Sequence, residues 1–139
     1  MTTLRIARAL LVMCSLAAAS AAVGAWSVVA AAPQSTAMAE AWRMVGYATF
    51  AALFATLAAH PARNVGLWAI VVANKFVLTV SAVTWLAAAD GASQAIAWDG
   101  ALTVLLLVAA VLARPWRRSV PALGAGLPAK RTAREAILE

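Results

Sequence analysis

Sulfur, imidazole and negative charge are all scarce in this chain of 139 residues. Cys14 is its only cysteine, which excludes an internal disulfide and membrane thiol oxidoreductase chemistry, because electrons there pass between paired sulfurs. His60 is its only histidine. A bis-histidine haem held within the chain is thereby excluded, and zinc, which needs three or four converging N, S or O donors, is disfavoured. Charged residues make up 12% of the chain, against about 25% in an average soluble domain. No metal or cofactor is expected, and no converging catalytic set is visible, so the chain reads as a non-enzyme.

What fills the chain instead is apolar: 65% of residues are hydrophobic and the mean hydropathy is +0.88. A soluble globule of 14.3 kDa has no interior large enough to hide that surface. The pI of about 11.2 would otherwise suggest nucleic acid, but a water-soluble enzyme, a nucleic-acid-binding domain and a disordered tail are all excluded by hydropathy. The expected surrounding is a lipid bilayer.

Crossing roughly 30 Å of hydrocarbon takes about 20 apolar residues in a helix, and four runs of that kind are present. They span about 9–32, 41–59, 64–89 and 93–113. Pro33, His60-Pro61 and Arg114-Pro115 punctuate them, and the connections are short, so consecutive helices should be antiparallel neighbours. The expected fold is all-α: an up-down four-helix transmembrane bundle over residues 1–113, followed by a basic, mostly disordered tail over 114–139. Within that tail Thr132-Ala133-Arg134-Glu135 has capping-box form and could start a short helix.

Charge sets the expected orientation. Arg5, Arg8, Arg63, Arg114, Arg117, Arg118, Lys130, Arg131 and Arg134 fall on one side of this topology, whereas Glu40, Asp90 and Asp99 share the other with Arg43. The positive-inside rule places both termini and the His60 loop in the cytoplasm of a bacterial inner membrane. Of the tryptophans, Trp26, Trp42, Trp85 and Trp98 map near the outer ends and Trp68 and Trp116 near the inner ends, as an interfacial belt would require. Arg5 and Arg8 before an apolar run also fit a cleaved leader. That run exceeds the 7–15 residues usual for a leader core, which favours a retained helix.

Lys75 is the residue that demands an explanation, because it falls beside the midpoint of the third run. A charge at that depth is expensive, about 2.5–3.5 kcal/mol even on insertion scales. Glu40, Asp90 and Asp99 all map toward the outer interface, and helical side chains lean toward their N-terminus, so Lys75 should reach toward the cytoplasmic end and away from the acids. Asn74, Thr79 and Ser81 add polarity around it. One reading is a ligand site between helices, built from Asn74, Lys75, Thr79, Ser81 and Tyr47, with Thr56 and Thr103 nearby. The other is a lysine that snorkels to water while its polar neighbours bond between helices.

Glu40 and Arg43, three apart, are placed for an interfacial ion pair across one turn, and Asp99 offers Arg43 a second partner on the fourth helix. Arg114, Arg117 and Arg118 around Trp116 form a juxtamembrane cluster suited to anionic lipid headgroups. Alanine ladders, Ala17-Ala21-Ala25 and Ala51-Ala55-Ala59, favour close helix packing within the chain or in a homodimer.

In layout, and in the stretch Glu40-Ala41-Trp42-Arg43-Met44-Val45-Gly46 continuing to Pro61 and Arg63, the chain resembles the small bacterial four-helix membrane proteins called DoxX-like. The resemblance covers roughly the first ninety residues and carries no catalytic motif. It implies an association with quinone-linked or redox membrane subunits. Two functions are therefore expected to compete: a non-enzymatic protein that packs with a membrane partner or lipid, and a small-solute, lipid-handling or quinone-associated protein using Asn74 and Lys75. An exporter of the small multidrug-resistance type is excluded, because its membrane-embedded glutamate is absent.

Overall fold

A computed structural model describes residues 2–84 and 92–118 of the chain. Four helices follow one another: α1 (Thr2–Ala31), α2 (Gln34–Ala59), α3 (Val65–Thr84) and α4 (Ala92–Ala113), with a 3-10 turn over Pro115–Arg118. All four are long and apolar enough to cross a membrane. They pack as an up-down bundle in which α1 lies most extensively along α2, α4 contacts both α1 and α3, and α2 and α3 touch only slightly. Trp85, Asp90 and the tail from residue 119, including the helix expected near Thr132, lie outside the described residues.

Local chemistry explains the helix ends. Pro33 precedes α2 with φ −57° and accepts the amides of Thr36 and Ala37 at 2.9 Å; proline suits this place because no partner for its missing N–H is needed. The α2 helix thus starts well before residue 41, and α1 extends back to Thr2 through Arg5 and Arg8. Charged residues end an apolar run without ending a helix, which is why the helices outrun the hydropathy windows. At the other end of α2, His60 leaves helical geometry while its amide still reaches Thr56 O at 3.2 Å. Asn64 then turns the chain with φ 59°, a left-handed conformation that asparagine tolerates well. Arg114 closes α4 at φ 49°, directly before Pro115.

The buried side chains are not spread evenly along the bundle. Ala7, Leu11, Cys14 and Ala18 of α1 meet Phe54, Leu57 and Ala58 of α2, Trp68 and Val71 of α3, and Leu106, Ala109 and Ala113 of α4. Every one of these lies toward the end that carries the His60 loop. Toward the end that carries Pro33 the buried apolar residues among those described are alanines: Ala25, Ala82 and Ala92. The exterior is apolar too, with Val23, Met38, Ile70, Val77, Val104 and Val111 among the exposed side chains, as a bundle solvated by lipid requires.

Trp68 departs from the belt expected for it. It is buried, and its indole donates to Pro61 O at 3.0 Å, so it pins the α2–α3 connection to the core. A tryptophan at the first turn of a helix can serve either purpose, and here the inward face of α3 decides. Trp26, Trp42, Trp98 and Trp116 are exposed, as anchors are.

Candidate functional site

Lys75 sits on the inward face of α3 with Trp68, Val71 and Ala82, and only 5% of the residue is exposed. Its ammonium donates to Asp99 Oδ1 of α4 at 2.6 Å. It also stands 4.2 Å from the centroid of the Phe50 ring of α2. Phe50 in turn meets Phe54 at 5.9 Å between centroids, so the cation is joined through two rings to the apolar core. Three helices therefore meet at one charge.

This arrangement corrects the expectation that Lys75 turns away from the acids, and that Asp99 is free for Arg43. The error lies in depth. The apolar runs set Asp99 at the outer interface, whereas its carboxylate lies within hydrogen-bond reach of the Lys75 ammonium at the middle of α3. Asp99 is about 10 Å inside α4, counted from Ala92. Four methylenes of lysine bridge the remaining few ångströms, overriding the initial lean of the side chain. Arg43 instead bonds Glu40 Oε1 at 2.8 Å, on the surface of α2.

Hydroxyls around the pair turn to their own helices. Thr79 donates to Lys75 O at 2.8 Å and Thr103 to Asp99 O at 2.7 Å. Each bonds a carbonyl four residues back, so neither extends a polar network between helices. Gly100 brings α4 close to Thr79, whose methyl stands 3.7 Å from where a Cβ would be, an ordinary contact. Thr56 bonds Ala52 O and faces outward. Tyr47 and Ser81 are half-buried with no side-chain hydrogen bond among the described residues.

Asn74 does not join Lys75. It is exposed at the middle of α3, and its amide has no hydrogen-bond partner among the described residues. Thr79 lies on the flank of α3 that meets α4, whereas Asn74 shares the opposite flank with Leu67 and Ser81, spaced seven apart. The expected ligand set is thus divided between an internal ion pair and an outward amide.

Surface grooves open along the α1–α2 seam and at the Pro33 turn, and neither is lined by Lys75, Asp99 or Asn74. Among the described residues no three histidine, cysteine, aspartate or glutamate side chains gather to hold a metal. No buried side-chain nitrogen or oxygen lacks a hydrogen-bond partner there. Arg114 and Arg117 are exposed at the foot of α4 beside Trp116, and Arg118 closes the 3-10 turn. Compared with models of protein families, with curated proteins and with solved structures, the chain matches none.

Asp99 and Phe50 were the functional partners hidden from sequence reasoning. The signal for Asp99 lies in its distance of about 10 Å from the start of α4 at Ala92, too deep for an interfacial acid. Nothing in the sequence marks Phe50 apart from other aromatics.

Proposed function

We propose that the chain is a non-enzymatic integral protein of a bacterial inner membrane that packs against a membrane-protein partner. The observation that carries this reading is Asn74. An amide at mid-span, facing outward without a partner among the described residues, is poorly solvated by lipid and gains from bonding across to another transmembrane helix. Lys75 needs no ligand to explain its position, because Asp99 already neutralises it. The likeness to DoxX-like proteins belongs to the same proposal, as does a cytoplasmic place for both termini. The latter is supported by Arg5, Arg8, Arg63, Arg114 and Arg117 at the His60 end, against Arg43 with Glu40 and Asp99 toward the other.

Cysteine cross-linking in native membranes tests the packing reading. With Cys14 replaced by alanine, Asn74→Cys should give a discrete cross-linked species with a second copy or another membrane protein, and Val77→Cys, displaced around the helix, should give far less. Equal, diffuse labelling of both positions would refute it. Reporter fusions at Ser35, Asn64, Ala92 and Ala136 should alternate sides, with Asn64 and Ala136 cytoplasmic.

A second reading, small-solute or lipid handling or attachment to a quinone-linked subunit, is supported by one feature. The Asp99 side chain keeps 18% of its surface exposed beside a mid-span ammonium. Joint replacement by Lys75→Met and Asp99→Leu separates the two: the packing reading expects the variant to complement a deletion strain, the second expects failure despite normal expression.

A further inference from the structure

The seam between α1 and α2 opens into a groove of about 490 Å³ toward the His60 end. Val12, Ser15 and Leu16 form one wall, Ala55 and Ala59 the other, and Arg8 stands at the mouth. The wall polarity is already spent, since Ser15 donates its hydroxyl to Ala51 O at 2.8 Å. What remains is an apolar trough, left open because alanines fill so little of it. From Arg8 to Leu16 it runs about 12 Å along α1, close to the ~15 Å depth of one hydrocarbon leaflet.

Arg8 is held for a second purpose. Its Nε donates to Ala58 O at 3.0 Å, capping a carbonyl in the last turn of α2. That bond fixes the guanidinium plane and leaves both terminal nitrogens without a partner among the described residues. Arg5 is exposed one turn away, and Arg63, Arg114 and Arg117 are exposed at the same end. The two described acids, Glu40 and Asp99, both lie in the other half of the bundle. Among the described residues, an anion at the mouth meets positive charge and no competing carboxylate.

We propose that this groove binds one anionic phospholipid, its phosphodiester on the terminal nitrogens of Arg8 and one acyl chain along Val12, Leu16, Ala55 and Ala59. Guanidinium presents paired donors in the geometry a phosphate accepts, and the trough offers the chain a wall on two sides. Charge selects the headgroup and shape selects the chain. The proposal rests on the membrane reading of the protein but not on the Asn74 flank, whose cross-links should be unchanged by the variants below.

Native mass spectrometry of the full chain, released from detergent with equal phosphatidylglycerol and phosphatidylethanolamine, provides the test. One phosphatidylglycerol should be retained per chain under conditions that strip phosphatidylethanolamine. Ala59→Leu and Ala55→Leu, at exposed positions that line the groove, should each lower that retention about tenfold, as should Arg8→Gln, with Arg117→Gln near wild type. Thermal stability of the alanine variants in detergent serves as the folding control, and either one that folds suffices. Retention unchanged in a folded alanine variant overturns the proposal. So does an equal loss in Arg117→Gln, which would mean general attraction to the basic end, or a dimer that Ala59→Leu splits, which would mean a second copy in the groove.

Discussion

The two halves of this bundle, divided along its axis, are built on different chemistry. Toward the His60 loop, Leu11, Phe54, Leu57, Val71 and Leu106 are fully buried and Trp68 nearly so. Toward the Pro33 turn, the buried apolar residues among those described are small, and Lys75 and Asp99 tie α3 to α4. In lipid there is no hydrophobic drive between helices, so van der Waals packing and polar bonds between helices carry the association. The His60 half holds the large buried side chains, with Arg8 and Ser15 adding bonds from α1 to backbone carbonyls of α2, whereas the other half holds the ion pair. Phe50 stands at the division, with its ring against the ammonium on one side and Phe54 on the other.

The difference has a consequence for specificity. Alanine faces pack closely but resemble one another at every turn, so they leave the sliding of one helix along another poorly defined. An ion pair at 2.6 Å does not slide. Lys75 and Asp99 therefore fix the register of α3 against α4, a use for which buried polar groups are best attested.

Breaking the polar half should have the largest effect. Asp99→Leu alone leaves the ammonium uncompensated and is expected to cost about 3–5 kcal/mol, read as a fall in the midpoint of detergent unfolding. Overfilling the apolar half comes next: Ala58→Leu, buried at the α1–α2 seam, should cost about 1–3 kcal/mol by forcing the helices apart. Phe50→Leu keeps the apolar volume near its value but removes the ring from the cation, a loss of about 0.5–2 kcal/mol that should vanish when Lys75 is already methionine. The smallest effect is expected from Ser15→Ala, where one hydrogen bond between helices is lost; such bonds average about 0.6 kcal/mol in a membrane bundle. If Ser15→Ala proved as damaging as Asp99→Leu, the contrast between the halves would fail.

The sequence made the architecture legible because hydropathy and charge act over whole segments. Four apolar runs, the short connection at His60-Pro61 and the asymmetry of arginines lead directly to the antiparallel bundle. Single positions were harder. Lys75 stands out in the sequence as the costly residue, yet its partner does not, because a place near the start of the fourth apolar run assigns Asp99 to the interface although it lies about 10 Å inside α4, counted from Ala92. Trp68 and Trp98 look alike in sequence, but one is buried and the other exposed, a distinction made by which side of each helix meets its neighbours. Helical geometry puts Lys75 and Thr79 on one stripe of α3 and Asn74 and Ser81 on a second, about 100° away; the sequence allows both stripes to line one polar wedge, whereas Lys75 is buried against α4 and Asn74 is exposed.

A double-mutant cycle over Lys75→Met and Asp99→Leu, followed by unfolding in detergent, addresses the central claim most directly. If the pair is an internal lock, each single change should be strongly destabilising and the double variant should recover to near wild type, because apolar residues can replace a buried pair with little loss. Losses that simply add, with the double variant the least stable of the three, would contradict it.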